Sequence, residues 1–148
     1  MTGRRFSAGL ALVLAMLVAG GSVRAEDNIW AALVLATNEH PAKAAVKELA
    51  PYVRGMHTVF GYNSFYLLGQ KKQKLVEGRG EWIVPSKVVF LKLRCLDRNP
   101  ASYTVQLDLY VKKRMVVTSK VKLARGAPLY IRGPAWGKGR LVFILEVR

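Results

Sequence analysis

Cysteine is almost missing from this chain. Cys95 stands alone, so no disulfide can form within it, and stability has to come from an apolar core. Histidine is nearly as scarce. His40 and His57 lie 17 residues apart, with no H-x-x-x-H or H-E-x-x-H spacing, and with Cys95 they form no recognisable zinc set. Carboxylates number only nine. None falls in a D-x-D or E-x-x-E pair, so the two-acid chemistry of glycosidases has no visible candidates. Long hydrophobic runs are also absent. The apolar stretch "AGLALVLAMLVAGG" (8–21) has 14 residues, short of the roughly 20 that a membrane-spanning helix needs.

That stretch has another reading. Arg4 and Arg5 precede it, and Val23-Arg24-Ala25 places small residues at −3 and −1 of a cleavage site before Glu26. This is the pattern of a secretory signal peptide over 1–25. The expectation is an exported protein, periplasmic or extracellular, that carries no transmembrane helix after signal cleavage. Its mature chain, 26–148, has the size of one domain with a real core.

Basic residues are what the chain has in excess. The formal charge is +15, and removing Arg4, Arg5 and Arg24 leaves 21 lysines and arginines against nine acids, near +12. In a cytosolic protein that balance would suggest nucleic acid. Behind an export signal it points to anionic envelope material: lipid head groups, acidic glycans or an acidic envelope protein. The alternative is a solvated surface that only keeps the protein soluble.

Periodicity supplies the fold. "NIWAALVLATN" (28–38) is a continuous apolar run that suits a strand buried on both faces. Val46, Leu49, Val53, Met56 and Phe60 recur at steps of three and four, one face of a helix. Pro51 is tolerated only in a first turn, which sets the helix at 47–60, with 39–46 as a looser lead-in and Gly61 as its end. Beyond Gly61 the period becomes two. Strands are expected at 64–70, 81–85, 88–96 and 102–111, with Lys71, Lys72 and Lys74 in a polar connection. In the next strand Met115, Val117, Val121 and Leu123 share the inward face. The last, 141–147, is apolar on both faces at its start and so central. The fold class is α+β: an antiparallel sheet or flattened sandwich of about six to seven strands with one packed helix.

The glycine-rich "GPAWGKG" (133–139) could be taken for a phosphate loop. A Walker loop needs G-x-x-x-x-G-K-[ST] between a strand and a helix. Here the glycine spacing is one residue short, Lys138 is followed by Gly139, and a strand follows. The segment reads as a hairpin, and no cofactor motif remains. A weaker possibility is an anion-binding nest, since Arg132, Lys138 and Arg140 surround a glycine-rich backbone with Trp136 at its tip.

The segments "LATNEHP", "FGYNSFYLLG" and "LARGAPLYIRGPAWGKGRLVFILEV" resemble those of small exported bacterial proteins of uncharacterised function. The resemblance covers most of the mature chain. It implies a single domain and carries no activity with it.

Cys95 falls on the apolar face of its strand and reads as a core residue. The ordered cations are more informative. Lys92 and Arg94, then Lys120 and Lys122, occupy alternate positions of two strands, with Thr104 and Gln106 equivalent on the strand between. A simple meander would unite them in one positive sheet face, unless the lysines serve only to discourage edge pairing. Only Tyr110 interleaves with these charges, which argues against the stacking platforms of single-stranded nucleic-acid binders. The expected function is a non-enzymatic envelope module binding anionic lipid or glycan through Lys92, Arg94, Lys120, Lys122, Arg132, Lys138 and Arg140. The alternative is a structural domain joined to a larger envelope complex through a sheet edge.

Overall fold

The computed structural model describes residues 27–83 and 88–148. The signal-peptide segment lies outside the described residues, as do positions 84–85 of the strand expected at 81–85. Eight strands form two four-stranded antiparallel sheets. In chain order they are β1 (Asn28–Thr37), β2 (Ser64–Lys74), β3 (Gly80–Ile83), β4 (Val89–Arg98), β5 (Ser102–Val111), β6 (Arg114–Ala124), β7 (Leu129–Trp136) and β8 (Gly139–Val147). The first sheet has the order β2-β1-β8-β7, and the second is the meander β3-β4-β5-β6.

The apolar runs of β1 and β8 are explained by where they sit. They are the two central strands of the first sheet, paired from Ile29↔Val147 to Ala36↔Arg140. One face of that sheet buries Leu33, Phe143 and Leu145 against Leu91, Leu93, Val105 and Leu107 of the second sheet. The other face buries Trp30, Ala32, Val34 and Ile144 against Leu49, Tyr52 and Met56 of the helical segment. A sheet covered on both sides has no use for polar alternation.

The helix is shorter than its apolar pattern. A single 3-10 turn, Ala50–Tyr52, leads into α1 (Val53–Phe60). Pro51 has no N–H to give to an α-helical ladder, so regular α-helix begins only after it, and Val46 stays exposed rather than joining the buried face. Gly61, at φ 78°, closes the helix by donating its N–H to the His57 carbonyl at 2.8 Å. The packed face is the expected one: Met56 is buried, with Val53 and Phe60 against the same cluster.

Two strand expectations need correction. β2 continues through Lys71–Lys74, because its backbone pairs with β1 as far as Asn28↔Lys74 while the lysine side chains face solvent. The segment before the glycine hairpin, Leu129–Trp136, is a full strand paired with β8, and the antiparallel two-sheet architecture with one packed helix is the expected fold class. In β6 a bulge at Val116 shifts the register, so Met115 pairs with Tyr110 whereas Val117 pairs with Leu109. Neighbouring residues of β5 face opposite ways. Met115 therefore leaves the inward row that Val117, Val121 and Leu123 occupy.

Candidate functional site

The outward face of the second sheet gathers four of the expected cations. β4, β5 and β6 are neighbours, and their register sets Lys92 beside Asp108 and Thr118, Arg94 beside Gln106 and Lys120, and Thr104 beside Lys122. Arg94, Lys120 and Lys122 are exposed, and Lys92 is half-buried. Asp108 offsets part of this charge, and its carboxylate accepts from the Thr118 hydroxyl at 2.5 Å. Phe90 shares the face too, in a row with Tyr110 and Met115. The face thus runs from an aromatic end at the β5–β6 turn to a basic middle.

The other three cations belong elsewhere. Arg132 pairs with Val142 and Arg140 with Ala36, and both of those partners point to the helix side of the first sheet. Arg140 donates to the Gly133 carbonyl at 2.9 Å, so one arm of its guanidinium is engaged within the fold. Lys138 is exposed in the turn. The seven residues therefore divide between two sheets and form no single site.

The glycine loop is a hairpin. Trp136 pairs with Gly139 across two central residues. Gly137 is the first of them and has φ 56°, the position at which a type II′ turn takes glycine. Gly139 has another reason to lack a side chain, because a Cβ there would lie 2.3 Å from the Ala36 carbonyl oxygen.

Between β6 and β7 the two sheets part. Leu91, Leu107 and Leu109 floor an apolar cleft of about 320 Å³, Val117 and Val121 wall it on one side, and Leu129 and Ile131 wall it on the other. Arg132 and Tyr130 contribute to its rim, although the register sends their side chains to the opposite face of β7. Val117 points inward and is nevertheless 52% exposed, which locates the mouth of the cleft beside it. The strand alternation gave no signal of this opening, because alternation reports which face a side chain takes and not how far the facing sheet extends.

Two polar clusters flank the central strands of the first sheet. Trp30 stacks on Tyr52 with centroids 5.0 Å apart, and the Arg148 guanidinium lies 4.4 Å over the Trp30 ring. The Tyr52 hydroxyl donates to Glu146 at 2.5 Å and accepts from Arg148 at 2.7 Å. Burial pushes the Tyr52 phenol up, Glu146 adds to that, and Arg148 opposes it. On the opposite face of the sheet, Asp27 is buried and accepts from the Tyr103 hydroxyl and the Arg125 guanidinium. Both clusters are satisfied internally, and they tie β1 to the helix and to the second sheet.

Cys95 lies in the inter-sheet core at 1% exposure. Burial raises its thiol pKa above the ordinary value, with Glu77 adding and Arg98 opposing. His57 sits on α1, across the first sheet from that core, with Nδ1 2.7 Å from the Tyr62 carbonyl. His40 lies in the loop before the helix. The fold does not assemble these three residues. No protein-family model matches the chain, and no curated protein or solved structure shows significant similarity to it.

Proposed function

We propose that this chain is a non-enzymatic module of the cell envelope that holds anionic lipid or glycan on its basic sheet face. The observation that carries the reading is the cluster of Arg94, Lys120 and Lys122, three exposed cations on one sheet face, with Arg94 on β4 and the two lysines on β6 across the intervening β5. Fixed cations at strand spacing meet repeated phosphates or carboxylates without ordering a flexible tail. Their attraction to a polyanion is electrostatic and falls as salt shortens its range, to about 10 Å at 0.1 M. Export fits the same reading: a mature chain starting at Glu26 keeps Asp27 and its contacts to Tyr103 and Arg125.

The mature protein is expected to bind phosphatidylglycerol vesicles or an acidic polysaccharide at low salt and to release both at high salt. Arg94→Glu/Lys120→Glu/Lys122→Glu should weaken that binding while its melting temperature stays near wild type. Failure to bind either probe at low ionic strength would remove the proposal.

One observation favours a second reading. Among the described residues β6 is an edge strand, paired with β5 on one side, and an unpaired edge is a template for a partner strand. A structural role in an envelope assembly would use that edge, and its association would resist salt.

A further inference from the structure

The β5–β6 turn joins its strands through two residues, Lys112 at φ 49° and Lys113 at φ 66°. Two positive φ values make this a type I′ turn, a conformation that Asn-Gly adopts easily and lysine does not. The turn's own geometry therefore gives no reason for lysine at either position. Arg114 follows, and all three cations are exposed.

Directly after them come Met115, Val116 and Val117, at 55%, 54% and 52% exposure. In a regular strand one of three consecutive residues would be covered by the facing sheet. Here the bulge at Val116 breaks the alternation and the facing sheet stops short, so all three remain half-open. Val117 also forms the lip of the apolar cleft floored by Leu91 and Leu109. Three exposed cations and a continuous apolar edge thus share one hairpin.

We propose that this hairpin is a membrane-docking device: the protein lies on an anionic phospholipid bilayer along its β6 edge. Lys112, Lys113 and Arg114 reach lipid phosphates, and Met115, Val116 and Val117 enter the boundary between head groups and acyl chains. Lysine and arginine stems suit that depth, because their methylenes lie against apolar material while the charged ends stay at the polar layer.

A second copy of the chain fits the same edge badly. β6 carries Arg114, Lys120 and Lys122 and no acidic residue. An antiparallel pair of β6 strands centred on Val117 would set Arg114 of each copy opposite Lys120 of the other, and like charges directly opposed are unfavourable. The charge complement of this edge is an anionic surface.

This inference rests on the envelope-binding reading and narrows it to lipid and to one end of the molecule. The deciding variant is Lys112→Asn/Lys113→Gly, which gives the turn the residues its geometry prefers and so should fold at least as stably as wild type. Binding to vesicles of phosphatidylcholine with phosphatidylglycerol, measured by flotation, should nevertheless weaken. The expected loss is about 25-fold for two cations, given the attraction of each basic residue to an anionic leaflet. Met115→Ser/Val117→Ser should leave low-salt binding largely in place but make it fail at lower salt than wild type. Vesicles of phosphatidylcholine alone should capture little of any form.

Wild-type affinity in Lys112→Asn/Lys113→Gly, with binding lost in Arg94→Glu/Lys120→Glu/Lys122→Glu, would refute the hairpin while sparing the basic-face reading. Binding of acidic polysaccharide but not of vesicles would refute the lipid assignment alone. Salt-resistant self-association, or capture of an acidic strand through β6, would also overturn the docking proposal. Absence of binding to every anionic probe would end both readings.

Discussion

Gly137 and Gly139 stand two residues apart and lack a side chain for different reasons, so substitution should separate them. At Gly137 the constraint is φ 56° with open space around a Cβ. A β-branched residue there meets backbone strain alone, and Gly137→Val should cost about 1–3 kcal/mol, with Gly137→Asn costing less. At Gly139 the constraint is the Ala36 carbonyl oxygen, which a Cβ would approach to 2.3 Å. Any side chain, alanine included, must push β8 away from β1, so Gly139→Ala should destabilise and Gly139→Asn should give no relief. Lys138→Ala in the same turn should stay within about half a kcal/mol, as for an exposed charge. Thermal melts of these variants check the ordering. Equal costs at the two glycines, or relief by asparagine at both, would contradict the assignment.

At the scale of elements, α1 is held to the first sheet partly through a glycine. A Cβ on Gly55 would come within 2.4 Å of the Tyr130 hydroxyl oxygen and 2.8 Å of its Cζ, while the Tyr130 ring packs edge-on against Phe60 with centroids 6.5 Å apart. Alanine normally improves a helix by about 1 kcal/mol over glycine. Here Gly55→Ala should instead lower the melting temperature, because the ring must swing away and lose Phe60. Gly55→Ala/Tyr130→Leu should recover part of the loss, and simple additivity of the two single changes would show that the contact is unimportant. The sequence revealed the elements better than their joints. Doubly apolar β1 and β8 announced a sheet covered on both sides, and the alternation of β4 and β5 placed Cys95, Leu107 and Leu109 correctly. Pro51 was visible, yet how many residues of 3-10 turn it would impose was not. The β6 bulge left no mark at all, since Met115 and Val117 fit an unbroken period of two. The candidate site followed the same division. Lys92, Arg94, Lys120 and Lys122 came together because alternation and meander order fix them, while the apparent grouping of Arg132, Lys138 and Arg140 reflected nearness along the chain rather than a shared face.

At the scale of the whole molecule, two apolar cores share β1 and β8, and each contains groups that resist ionisation. Cys95 belongs to the inter-sheet core, where burial raises its pKa above the ordinary 9.0. Tyr52 and Tyr130 belong to the helix-side core, where burial, reinforced by Glu146, raises theirs above the ordinary 10.0. The folded state then favours the neutral forms, and the unfolded chain releases these protons first. Fewer protons bound in the unfolded state means that stability falls as pH rises. The contribution is fully present below the ordinary values and is lost as pH climbs through the raised ones, so the melting temperature should decline above pH 9.0 and more steeply above pH 10.0. Cys95→Ala should remove the first part of the decline and leave the second. Because β1 and β8 belong to both cores, neither core can open without stripping the other of a wall. Thiol reactivity, far-ultraviolet circular dichroism and the part of the tyrosinate absorbance lost in Tyr52→Phe and Tyr130→Phe should therefore report one shared alkaline transition, as expected of a cooperative domain of this size. Ionisation of Tyr52 and Tyr130 well before the thiol becomes reactive would show that the helix layer detaches on its own and that the two cores are only loosely joined.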